Sequence, residues 1–118
     1  MKNEFRVVGK SKAGADVVAG IFKLVDTAGM PLAMVLYCLE EKKMAPSWLH
    51  FCQEAFAAGW EKKTVLRHIS EATEEVCGKE YRDKVMGYLD DQTLLNAARG
   101  EYRCSDGMKK LDEAPMYV

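Results

Sequence analysis

Apolar residues recur at helical spacing along most of this chain, and glycines at 29, 59, 78 and 100 close successive stripes. A left-handed closing residue is wanted at such points, so these glycines divide the chain into helices. The first helix is expected near residues 15–28, with Val17, Val18, Ile21, Leu24, Val25 and Ala28 on one side and Lys23 and Asp26 opposite. The second, at about 31–43, differs in kind. From Ala28 to Leu39 the chain reads AGMPLAMVLYCL, without a charge, so this helix is apolar on every face. Such a helix belongs in the centre of a fold. Pro31 suits its first turn, and Glu40, Glu41, Lys42 and Lys43 end it in water long before a bilayer is crossed.

The third helix starts at Pro46 or Ser47 and runs to Ala58, burying Trp48, Leu49, Cys52, Ala55 and Phe56 and turning His50, Gln53 and Glu54 outward. The fourth, 62–77, has the cleanest stripe, formed by Val65, Leu66, Ile69, Ala72, Val76 and Cys77. Trp60 is expected to staple its entrance by packing on Val65, while Glu61 is a poor N-cap. From about Glu80 the pattern continues through Tyr81, Val85, Tyr88 and Leu89. Gly87 argues against one long helix, and Asp90 or Asp91 can cap a restart ending at Arg99, leaving five helices or six.

The ends read differently. EFRVV, residues 4–8, has the content of an edge strand, and Asp106-Gly107 within EYRCSDGMKKL (101–111) offers hairpin turn chemistry. The expected fold is therefore mainly α, a compact bundle of five or six helices around a central apolar helix (about 31–43). A small antiparallel β element formed by the two termini completes it. No linker, repeat or low-complexity segment divides the 118 residues, which suit one domain able to bury a core without a metal or disulfide.

Net charge is −1, which gives no long-range attraction to nucleic acid or anionic lipid. Its distribution is uneven: residues 1–12 hold Lys2, Arg6, Lys10 and Lys12 against Glu4 alone. Cys38, Cys52, Cys77 and Cys104 never form a C-x-x-C pair, so they read as reduced thiols, and Met1–Lys12 has no apolar run of the kind a signal peptide needs. The expected location is the cytoplasm, with no membrane association and no cofactor.

Three functional classes remain. The favoured one is a non-catalytic protein-binding domain, an adaptor, regulator or inhibitor in the manner of phage-type accessory proteins, with a second copy of itself as the simplest partner. Met30, Met34, Met44, Met86, Met108 and Met116 supply adaptable apolar surface wherever they are not buried. Phe22, Trp48 and Phe51 lie near the edges of their stripes, and Met116, Tyr117 and Val118 form an apolar end that strand addition can capture.

The runner-up is a helix-turn-helix DNA binder. In it, Lys62, Lys63 and Arg67 sit on the recognition helix and the arm of Lys2, Arg6, Lys10 and Lys12 follows the phosphates, although Glu71, Glu74, Glu75 and Glu80 oppose this. Third is a metal-dependent enzyme in which His50 and His68, each with a glutamate about one turn away, converge across a helical hairpin. Neither histidine sits in a metalloprotease or di-iron pattern, and no serine, cysteine or glycine motif demands nucleophilic or phosphate chemistry.

Overall fold

A computed structural model describes residues 5–11 and 14–101. Its elements are β1 (Arg6–Lys10), β2 (Asp16–Ala19), α1 (Ile21–Asp26), α2 (Leu32–Glu41), β3 (Met44–Pro46), α3 (Trp48–Ala57), α4 (Lys62–Cys77), α5 (Lys79–Tyr88) and α6 (Asp91–Arg99). The expected hairpin around Asp106-Gly107 lies outside the described residues, as do Lys2, Lys12, Cys104, Met108, Met116, Tyr117 and Val118.

The protein is mainly helical, with six helices among the described residues and a three-stranded sheet ordered β1-β2-β3. The sheet departs from the expected one. β1 is the predicted edge strand, but its antiparallel partner is β2, with Val7 opposite Val18 and an irregularity between Val7 and Gly9. β2 in turn runs parallel to β3, Val17 facing Ala45. The helix expected over 15–28 is therefore only six residues long.

The reason lies in Val17 and Val18. Both are β-branched and buried, so each is satisfied between neighbouring strands as well as on a helix face. Gly20, at φ 98°, then turns the chain sharply into α1.

The later helices follow their punctuation. Ser47 caps α3, its Oγ accepting from the His50 N–H at 3.4 Å, and Asp90 caps α6, accepting from the Thr93 N–H at 2.8 Å. Glu61 precedes α4 without a side-chain capping bond. Gly78, at φ 92° and ψ 169°, separates α4 from α5 in a backbone region that glycine alone adopts readily.

α4 packs on α2 and α5, α3 packs on α6, and α1 sits between α2 and α3. Their shared core joins Leu36 and Leu39 of α2, Phe51 and Cys52 of α3, Val65 and Ile69 of α4, and Tyr81 and Val85 of α5. The one buried hydroxyl within α4, Thr73 Oγ1, donates back to the Ile69 carbonyl at 2.7 Å.

α2 is not enclosed on every side. Leu32, Val35, Leu36 and Leu39 are buried against α4, β3 and α1, but no described layer covers the opposite face. The uncharged run Leu32–Leu39 shows no side to which solvent is assigned, so the sequence gives no warning of this.

Candidate functional site

The uncovered face of α2 holds Met34, 52% exposed, and Tyr37, 46% exposed. Three residues apart on a helix, they are neighbours on one stripe. Two of the four large apolar side chains left in water among the described residues therefore lie together, the others being Val7 on β1 and Leu95 on α6. Beside the start of α2 runs a groove of about 240 Å³ lined by Pro31, Leu32, Ala33, His68, Glu71, Ala72 and Glu75. The groove lies between the first turn of α2 and α4, apolar on the α2 side and acidic on the α4 side through Glu71 and Glu75, and Ala33 stands one turn before Tyr37. Met34 belonged to the methionines that sequence reasoning singled out. Tyr37 did not, and the one available signal was its place one turn from Met34 in a run without charge.

Phe22, Trp48 and Phe51, expected as partner-facing residues, are instead core residues at 5%, 2% and 1% exposure. They meet edge to face: Phe22 and Phe51 with ring centroids 5.5 Å apart, Trp48 and Phe51 at 6.0 Å. Phe22 and Phe51 meet where α1 and α3 pack on each other, whereas Trp48 meets Phe51 within α3 and reaches Tyr81 of α5 with its indole N–H. Trp60 closes the same cluster against Phe22 at 5.0 Å and lies 4.8 Å from the His68 ring.

The two histidines face different elements. His50 Nδ1 lies 2.7 Å from Ser47 Oγ, and burial, followed by the nearby Arg6 charge, holds its pKa below the ordinary 6.5. Glu54 shares that neighbourhood. Burial raises its pKa from 4.5, against the pull of Arg6 and of a hydrogen bond from the Gly20 N–H. His68 instead faces Trp60 and the α2 groove. Among the described residues, no group of three or more His, Cys, Asp or Glu is placed to hold a metal ion.

The basic candidates are likewise dispersed. Lys10 pairs with Asp16 at 3.0 Å and Lys62 with Asp91 at 2.9 Å, while Arg6 stands by His50 and Glu54. Lys63 and Arg67 line a second groove with Glu61, Thr64, Leu66, Ser70 and Met86. β1, which carries Arg6 and Lys10, therefore lies along β2, and Lys63 and Arg67 of α4 share their groove with Met86 of α5. Cys38, Cys52 and Cys77 are unpaired thiols. Burial pushes Cys52 up to about 12, and burial with the Glu40 charge does the same for Cys77, so neither is a ready nucleophile at neutral pH.

No helix among the described residues is long and apolar enough to cross a membrane. Comparison with protein-family models, with curated proteins and with solved structures finds no match to this chain.

Proposed function

We propose that this chain is a small protein-binding domain, acting in the cytoplasm as an adaptor, regulator or inhibitor of a larger partner and not as a catalyst. The observation that carries the reading is the half-exposed pair Met34 and Tyr37 on a helix with no charge between Leu32 and Leu39. Burying the exposed half of each side chain contributes on the order of 1 kcal/mol, so a partner gains from this stripe while the free domain does not. Methionine adapts to irregular surfaces, and tyrosine adds a hydroxyl at the rim of an apolar contact; both types are enriched where proteins meet. The unpaired thiols of Cys38, Cys52 and Cys77 suit a reducing compartment.

The test is a tagged pull-down from cell extract with and without nuclease, comparing the native chain with Met34→Ser/Tyr37→Ser. The expected result is a specific protein retained by the native chain in both conditions and lost by the variant. Equal retention by the variant removes α2 as the contact face, and retention abolished by nuclease replaces the reading with nucleic-acid binding.

A further inference from the structure

The carboxylates around the α2 stripe narrow the partner. Glu40 and Glu41 follow Tyr37 by three and four residues, on the turn that continues the stripe, and Glu71 and Glu75 of α4 line the groove beside Pro31, Leu32 and Ala33, the last of these one turn before Tyr37. All four are exposed, and among the described residues none has a basic side chain within ion-pair distance. Lys42 and Lys43 come only after the helix has ended, where Lys43 turns the chain at φ 59°.

Resting on the binding reading above, we infer that the occupant of this face is a protein segment presenting apolar anchors flanked by lysine or arginine. Anything that buries Met34 and Tyr37 brings its own rim close to Glu40 and Glu41, and where it extends over Ala33 it meets Glu71 and Glu75 as well. An acidic rim adds like charge where solvent is being removed, whereas a basic rim supplies the counter-charges and speeds encounter. The same charges weigh against a second copy. If α2 pairs with α2 across a two-fold axis in antiparallel fashion, Glu40 and Glu41 of one protomer come over the groove edge formed by Glu71 and Glu75 of its partner. The central contact is then apolar, but its margins repel.

The experiment uses the full chain and two fluorescein-labelled synthetic amphipathic peptides, one of leucine and lysine and one of leucine and glutamate, with binding read by fluorescence anisotropy. The leucine–lysine peptide is expected to bind at least about tenfold more tightly than its acidic counterpart and to lose about tenfold with Glu71→Lys/Glu75→Lys. The charge-matched control Asp91→Lys/Glu101→Lys is expected to stay within about twofold, because those residues lie at the start of α6 and just after its end, and α6 packs on α3. Met34→Ser/Tyr37→Ser, which leaves net charge alone, is expected to abolish binding.

If both peptides bind equally and Met34→Ser/Tyr37→Ser releases both, the basic character of the partner is overturned while α2 remains the contact face. If that variant still binds the leucine–lysine peptide, or the native chain binds neither peptide, the inference falls; the pull-down then decides the α2 reading separately. A dimer in sedimentation equilibrium that Met34→Ser/Tyr37→Ser dissociates replaces the basic segment with a second copy of this chain.

Discussion

The indole N–H of Trp48 donates to the hydroxyl of Tyr81 at 3.1 Å in the interior, joining the first residue of α3 to α5 across 33 positions of sequence. Tyr81 is fully buried and Trp48 nearly so, so neither polar atom has water as an alternative. Tyr81→Phe keeps the ring and removes the acceptor. Leaving a buried donor without its partner costs about 1–3 kcal/mol, and the expected result is a matching drop in urea unfolding stability. Trp48→Phe/Tyr81→Phe should lose less than the sum of the two single changes, because it also removes the orphaned donor. Additive losses count against a coupled pair.

His50 and Glu54 give opposite pH dependences. His50 titrates below its ordinary 6.5 in the folded protein, with burial the larger cause and Arg6 the smaller. As pH falls through 6.5 the unfolded chain takes up that proton first, so stability is lost from there down to the folded pKa. Glu54 titrates above its ordinary 4.5, again chiefly through burial. Its folded carboxyl takes the proton first, so acidification toward 4.5 favours the fold. His50→Gln should therefore lose less stability than the native chain between pH 7.5 and 5.5, measured by urea midpoints, and Glu54→Gln should lose more. Arg6→Gln should move the His50 titration upward when followed by proton NMR; an unmoved titration removes Arg6 as a cause.

Two glycines of α5 and its entrance predict opposite signs. Gly78 adopts φ 92° with open space where a Cβ would point, so the penalty for Gly78→Ala is backbone strain, about 1–3 kcal/mol of lost stability. Gly87 lies within α5, exposed and with open space where a Cβ would stand. Gly87→Ala should stabilise by about 0.5–1 kcal/mol, since alanine restricts the unfolded chain and suits a helix interior. Thermal unfolding of the two variants reads both signs, and a gain from Gly78→Ala contradicts the strained turn.

The contrast between α4 and β2 explains what the sequence reveals and what it hides. α4 begins at Lys62 and ends at Cys77 because its stripe is long, its opposite face is charged, and Gly78 stops it; all three signals agree. Asp90 marks the start of α6 for a similarly local reason, a carboxylate waiting for the Thr93 N–H. Asp16–Ala19 carries no such agreement. Val17 and Val18 are compatible with either period over so short a run, and the choice is made by β1 and β3, one of them 25 residues downstream of β2. Met44–Pro46 is shorter still and ends in proline, so its pairing with β2 is a consequence of where α1 and α2 return the chain. The candidate site is hidden for another reason: a helix apolar all round states that something covers it, not which side the fold covers and which is left to a partner.

That distinction yields a last prediction, on which any use of the α2 variants depends. Met34 and Tyr37 face outward, whereas Leu36, between them in sequence, is fully buried on the opposite side. Truncating the exposed pair removes little that the fold uses, and Met34→Ser/Tyr37→Ser should shift unfolding stability by no more than about 0.5–1 kcal/mol. Leu36→Ala opens a cavity among Leu39, Val65 and their neighbours in the core and should cost about 2–5 kcal/mol. Urea denaturation of the three proteins separates the cases. If the exposed pair costs as much as Leu36→Ala, then α2 is covered in the protein as it exists, and the stripe is already occupied by the chain's own residues or by a second copy. Concentration dependence of that loss distinguishes the two: a dimer melts at a midpoint that rises with protein concentration, and an intramolecular cover does not.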